Sequence, residues 1–319
     1  MKSNRFALAA LVLALLFPAS VLAWNDTGHK LVAAIAWDNM TPAARTKAIE
    51  LLKKAPADAC LLDLFPNDTR PLADRQREFF MRAATWPDVV RPDGDNDPRK
   101  CTRFHQRDWH FIDHFWTGVS GETGSNAPKD KDIDIPDINA VDRLAAFRQS
   151  VPCEQALCPA ARSRARHLAW ILHLVGDIHQ PLHTAAHVTA QSPNGDQGGN
   201  GFTLAGSPSK LHSYWDGIID KKLPPNPGEK QIDYLNRVEA RIVSDHPRAG
   251  MVSRIHSGDF NGWALEGFET AKSRLYPKTL KMNQVPSDTY RDMAFDIGDE
   301  AIALGGYRLA DLLNHMLVP

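Results

Sequence analysis

His173-Leu-Val-Gly-Asp177-Ile-His179-Gln-Pro-Leu-His183 is the stretch on which the reading of this chain turns. It closes an apolar run at helical spacing. His173 and Asp177 stand four apart, so on a helix their side chains share one face at about 6 Å, the reach of two ligands on one cation. Pro181 ends that helix and lets His183 turn back toward the same region. The pattern recurs at His212-Ser-Tyr-Trp-Asp216. A lone histidine on an apolar face is usually a hydrogen-bonded core residue. Two His-x-x-x-Asp pairs with a third histidine nearby point instead to a metal site. Imidazole and carboxylate without thiolate suit catalytic zinc. The metalloprotease arrangement His-Glu-x-x-His is absent.

Outward from this stretch the chain reads as helix. Leu31, Val32, Ile35 and Ala36 recur at helical spacing over 27–39. Thr41-Pro42 reads as an N-cap followed by proline at the first helical position, opening a helix to about Lys54. Further helical patterns run over 139–149, 159–179, 230–244, 263–274 and 287–316. Loops rich in Pro, Gly and Asp fall at 91–103, 118–138 and 191–210. No alternating run of β-branched residues is long enough to build a sheet. The expectation is one mainly-α domain over residues 24–319, with long loops and little or no sheet.

Composition excludes more than it names. Of 319 residues, 37 are Lys or Arg and 38 Asp or Glu, a formal charge of −1. That balance argues against a protein that binds duplex DNA by blanketing it with positive charge. Lys2 and Arg5 precede an apolar run, Phe6 to Phe17, and Val21 and Ala23 supply the small residues of a signal-peptidase site. Residues 1–23 therefore read as an export signal, and cleavage leaves Trp24 first and the formal charge at −3. In an oxidising compartment Cys60, Cys101, Cys153 and Cys158 can pair. The Cys153–Cys158 spacing suits a small local loop, leaving Cys60 with Cys101, though three pairings are open to the sequence. Asn25-Asp-Thr27 and Asn67-Asp-Thr69 match the glycosylation acceptor pattern.

Further motifs stand in a telling order: Trp24-x₄-His29, Ala84-Thr85-Trp86-Pro87-Asp88, Trp109-His110-Phe111, the His173–His183 stretch, Gly198-Gly199-Asn200 and Leu211-His212-Ser-Tyr-Trp215-Asp216. Trp263-Ala-Leu-Glu266 and Arg308-Leu-Ala-Asp-Leu-Leu-Asn314 follow. With these the chain resembles the zinc-dependent single-strand nuclease and 3′-nucleotidase family (the S-one/P-one type) across essentially all of 24–319. The resemblance implies a helical domain of the phospholipase C and zinc nuclease type and three Zn²⁺ per chain. One zinc would be held by Asp88, His110, His173 and Asp177, and a second by His183, His212 and Asp216. The third would take the α-amine and carbonyl of Trp24, His29, and Asp177 as a bridge. That amine exists only after cleavage at Ala23, and its reference pKa of about 8 lets it ligate near neutrality. Three dications bring the charge to about +3, concentrated in the cleft.

The implied activity is hydrolysis of single-stranded DNA and RNA, and of 3′-nucleotides, to 5′-phosphorylated products, in the periplasm or outside the cell. Asp88, Asp177 and Arg91 are the expected catalytic residues, with Arg91 on the phosphate and Asn200 on a nucleobase edge. Gly201 stands where the family usually has Asp. Phe111, Phe115 and Trp116 are candidates for stacking an unpaired base, with at least two of the three expected in the core. His179 is expected to orient a ligand or backbone group. His114 mimics a ligand pair with His110, but the family uses only the first. No partner pattern surrounds His105, His167, His187, His246, His256 or His315. Zinc-dependent phospholipase C is the neighbouring alternative; it carries Glu at the position of Asp216 and lacks Gly-Gly-Asn. A non-catalytic zinc-binding protein is the other.

Overall fold

A computed structural model describes residues 24–120 and 138–318. The segment read as an export signal lies outside the described residues, as does most of the 118–138 loop. The scaffold is helical. Helices α1 (Asp26–Asn39), α2 (Pro42–Leu52), α3 (Leu72–Ala83) and the short α4 (Trp86–Val89) form the first half. Next come α5 (Ala140–Ser150), α6 (Ala161–Asp177), and the short α7 (Leu211–Asp216) and α8 (Ile218–Lys222). The chain ends with α9 (Gln231–Asp245), α10 (Arg248–Met251), α11 (Phe260–Thr270) and α12 (Asp288–Leu317).

Two helices run through the middle. α1 is buried from Thr27 to Trp37 and α6 from Leu168 to Asp177, each on all sides. A helix apolar all round belongs inside a bundle, and these two carry histidines and an aspartate inside with them. α1 packs most extensively along α12, α6 lies against α5 and α2, and α1 touches α6 directly. Side chains set the helix starts as the sequence indicates. Thr41 Oγ1 accepts from Ala44 N–H at 3.2 Å, and Ser287 Oγ from Tyr290 N–H at 3.2 Å. Each such cap contributes about 1 kcal/mol.

Helices expected at 27–39, 41–54, 139–149, 159–179, 230–244 and 287–316 are present, with ends shifted by one or two residues. α11 opens three residues before the expected 263 and runs on through a wide turn at Ala271–Leu275. α3 escaped the sequence reading because its buried residues are confined to its second half. Only Glu78 to Met81 and Ala83 are buried, and its first half is charged and largely exposed. α6 stops at Asp177, and Gln180, just before Pro181, is extended at φ −87°, ψ 113°. The residue before a proline is driven out of the helical region. Pro181–His183 then forms a single 3₁₀ turn.

Among the described residues the sheet is one pair of three-residue parallel strands, β1 (His114–Trp116) and β2 (Ala185–His187). Ile112 N–H donates to His183 O at 2.9 Å and His114 N–H to Thr184 O at 3.2 Å, extending the pairing toward His110 and His183. The small sheet thus clamps two motif segments together. Both disulfides are as the spacing suggested, Cys60–Cys101 and Cys153–Cys158.

Candidate active site

α6 presents the first pair. His173 and Asp177 are fully buried one turn apart, with His173 Nε2 3.3 Å from Asp177 Oδ2. His173 Nδ1–H donates to Ala84 O at 2.8 Å. A neutral imidazole has a single N–H, so this bond leaves Nε2 as a bare lone pair. That lone pair points into a cluster: His110 Nδ1 lies 2.9 Å away and Asp88 Oδ1 4.0 Å away. The Ala-Thr-Trp-Pro-Asp motif therefore contributes twice, through the carbonyl of Ala84 and the carboxylate of Asp88 at α4.

His29 comes from α1. Its ring stacks on that of His173 at 3.9 Å, and Nε2 is 3.3 Å from Asp177 Oδ1. The closeness explains Gly176. A Cβ there would stand 2.7 Å from His29 Nδ1, inside any real contact. Trp24, just ahead of α1, is fully buried, and Asn25 N–H donates to Asp216 O at 3.1 Å, so this segment abuts α7.

The second pair repeats the device. His212 Nδ1–H donates to Gly198 O at 2.6 Å, turning Nε2 toward Asp216 Oδ2 at 3.7 Å. His183 Nδ1–H donates to His110 O at 2.8 Å. Asp216 Oδ1 accepts from Gln180 Nε2 at 2.8 Å. Gly198 takes φ +60°, and a Cβ would strike Leu182 O at 2.2 Å, so only glycine brings that carbonyl to His212.

Three groups result, His29 with His173 and Asp177, Asp88 with His110 and His173, and His183 with His212 and Asp216. Within each, the ligand-type atoms lie within 4.8 Å of one another. Two ligands on opposite sides of one Zn²⁺ stand at most about 4.2 Å apart, so closing each group on a cation takes little movement. Both ring nitrogens of His29 and Oδ1 of Asp177 are buried without a hydrogen-bond partner. Orphaned polar atoms like these cost about 1–3 kcal/mol each, and more when charged. A cation removes that cost at once, so the residues fit one.

Electrostatics agree. Burial, then the charges of Asp88 and Asp216, push the Asp177 carboxyl well above its usual range. Burial raises Asp216 likewise and takes Asp88 up to about 7 against the pull of Arg91. Burial drives His173 down to about 3, and His29 and His110 well below the ordinary imidazole value. Neutral imidazoles are the ligating form, and a bound dication reverses the cost of ionising the carboxylates.

In front of the cluster lies a cavity of about 310 Å³. Asp88, His110, His183 and His212 face it, together with Arg91, Asn200 and Phe111. Asn200 Nδ2 donates to Gln197 O at 2.8 Å. His29, His173, Asp177, Asp216 and Trp24 are not among the lining residues. Trp116 is core, fully buried and stacked on His187 at 4.1 Å, and Phe115 does not reach the cavity. Five lining residues escaped the sequence reading: His105, Arg107, Asp108, Asp113 and Gln197. Asp113, which burial and the charge of Asp196 take up to about 7, sits three residues after His110, just ahead of β1. No ligand-spacing rule marks it.

His179 donates from Nδ1 to Val175 O at 2.6 Å and accepts on Nε2 from Arg308 at 2.9 Å. It is a strut behind the cluster. His114 packs against Phe268 at 5.3 Å and stays out of all three groups.

Buried metal-ligand groups that share residues, at the floor of a cavity edged by an arginine, define a hydrolase acting on phosphate esters. The chain belongs to the S1/P1 nuclease family, whose model matches residues 24–318, and it is a nucleic-acid-hydrolysing enzyme. It is 23% identical to Nuclease P1 of Penicillium citrinum, over 92% of this chain and 97% of that one. It is 24% identical to Endonuclease 1 of Arabidopsis thaliana, over 98% and 93%. Nuclease S1 of Aspergillus oryzae is 22% identical, over 91% of each.

Proposed function

We propose that this chain is an exported zinc-dependent phosphodiesterase that cuts single-stranded DNA and RNA to 5′-phosphorylated products and removes the phosphate of 3′-nucleotides. One observation carries the reading. Three imidazoles give Nδ1–H to backbone carbonyls, those of Ala84, His110 and Gly198, and so offer Nε2 to buried carboxylates. Such second partners fix the tautomer and aim of metal-ligating histidines. Histidine and aspartate without thiolate favour zinc.

Asp88, His110, His173 and Asp177 would hold one ion, and His183, His212 and Asp216 another. His29, the Trp24 α-amine and carbonyl, and a bridging Asp177 would hold the third. Zinc there supplies Lewis-acid polarisation and an acidified water. Arg91, at the cavity rim, neutralises a non-bridging phosphate oxygen and positions the diester. Asp88 is half-buried and faces the cavity, so its carboxylate also orients the attacking water. Asn200 meets a base edge. Phe111 offers a flat face to an unpaired base, which a paired duplex does not present.

Removal of residues 1–23 frees the Trp24 amine, a reading supported by the family match starting at residue 24. Among the described residues no helix is long and apolar enough to cross a membrane. The test uses protein tagged at the C-terminus, incubated with single-stranded DNA and RNA with and without chelator. Chelator-sensitive release of 5′-phosphorylated ends is the expected result. Zinc-loaded protein that leaves both polymers intact overturns the proposal.

A further inference from the structure

The cavity does not end at the metal groups. Beyond Arg91 its rim takes in the second half of the segment Lys100–His110, two 3₁₀ turns joined at His105-Gln106. His105 and Arg107 reach the cavity from this segment. The Nδ1 of His105 is buried there with no hydrogen-bond partner among the described residues. Arg107 is exposed and makes no ion pair or hydrogen bond with them. Four residues earlier, Arg103 lies over the Phe104 ring at 4.7 Å, and Arg166 of α6 lies over the same ring at 4.3 Å. Two guanidiniums thus stack on one aromatic ring. Only Arg103 has a carboxylate, that of Asp58, and Arg166 is held by Ser163 Oγ. Burial and the nearby charge of Arg103 make the Arg166 cation less comfortable than a free one.

An anion beside these cations relieves that repulsion. Arg91 and Arg107 line the cavity, and Arg103 and Arg166 lie on the Phe104 ring of the same segment, against the half-buried carboxylate of Asp58 and the exposed one of Asp108. The platform is fixed in advance. Cys60–Cys101 staples its start, the Phe104 ring lies 6.2 Å from Trp86, and Trp109 packs edge-on to Trp170 at 5.0 Å. Arg103 and Arg107 are four residues apart, so their Cα atoms are separated by no more than about 14 Å. That span suits successive phosphates of one strand.

We propose that Lys100–His110 with Arg166 is a binding track for single-stranded polynucleotide, with Arg107 holding the phosphate next to the one being cut and the Arg103–Arg166 pair the phosphate beyond. Cationic side chains interleaved with aromatic rings beside a cleft are how single strands are held without sequence preference. The track rests on the nuclease reading and deepens it, because it favours polymers over 3′-mononucleotides, which have no flanking phosphate to offer.

The test compares zinc-loaded wild type with Arg103→Ala, Arg107→Ala, the double variant and Arg107→Lys. Binding of a labelled, phosphorothioate-linked oligothymidylate is followed by anisotropy over a series of salt concentrations. Each alanine is expected to lower the slope of log affinity against log salt by about 0.7, and the pair by about 1.4. Arg107→Lys restores the slope. The ratio of kcat/KM on oligonucleotide to that on a 3′-mononucleotide falls in the same order, while zinc content stays full. Unchanged slopes, or equal losses on both substrates, overturn the track. If wild type binds the oligomer with these slopes and cuts nothing, the catalytic reading fails and the track stands.

Discussion

At the scale of single residues, Asp177 is the joint of the whole site. Its two oxygens face different neighbours, Oδ1 toward His29 and Oδ2 toward His110 and His173. Asp177→Ala is therefore expected to lose two of three zincs, and His212→Ala one, as read by metal analysis of purified protein. Loss of a single ion from Asp177→Ala contradicts the bridging role. Arg91→Ala is expected to keep its full zinc complement and lose at least about tenfold in kcat/KM, the cost of one charge-assisted contact. Unfolding of that variant removes the phosphate-contact role. Gly176→Ala tests the packing directly. The new methyl displaces His29, so thermal melting should show about 1–3 kcal/mol of lost stability together with reduced zinc content.

At the scale of elements, α6 does the most to set the site, and a neutral histidine helps it lie on α5. His167 stacks on Phe147 at 4.5 Å and shares a hydrogen bond with Ser150 Oγ. Burial, with Arg166 and Arg143 nearby, takes its pKa down to about 4 from 6.5. Between those values the unfolded chain binds a proton that the folded chain refuses. Stability from this contact is thus full above pH 6.5 and declines as pH falls toward about 4. His167→Gln should flatten the acid side of a plot of melting temperature against pH. An unaltered slope means that the acid response lies elsewhere.

Legibility also divides by element. α1, α6 and α12 were plain because burial keeps their apolar residues in register over several turns. The pairs His173/Asp177 and His212/Asp216 were plain because one helical turn is a fixed ruler. α3 was hidden by its charged first half, and Asp113 and Arg107 by their place outside the α-helices, where no four-residue ruler applies. His29 was reached by resemblance, since nothing local ties α1 to α6. What joins them is the absence of a side chain at Gly176.

At the scale of the whole molecule, removing the metals should be felt globally, because the three groups tie α1 and α4 to α6, and α7 to the Pro181–His183 turn that follows α6. Chelation is expected to lower the melting temperature, and added zinc to restore it; ligand at a thousandfold over its Kd stabilises by about 4 kcal/mol per site. An unchanged melting temperature shows that the buried groups close without a cation. A protein carrying one extra residue before Trp24 should bind two zincs and lose most of its activity. Full metal content there removes the amine from the ligand set.

The Cys60–Cys101 bridge closes a loop of chain, with a sequence separation of 41, that contains Asp88 and Arg91. Closure on that scale is worth about 4 kcal/mol against the unfolded chain. His29, His173, Asp177, His212 and Asp216 all lie outside the loop. With the bridge reduced, the helices that carry these residues keep their packing, but the wall with Asp88 and Arg91 loses its covalent tether. The bridge is thus a hinge pin for the cavity wall, limiting where Asp88 and Arg91 can go without touching either of them.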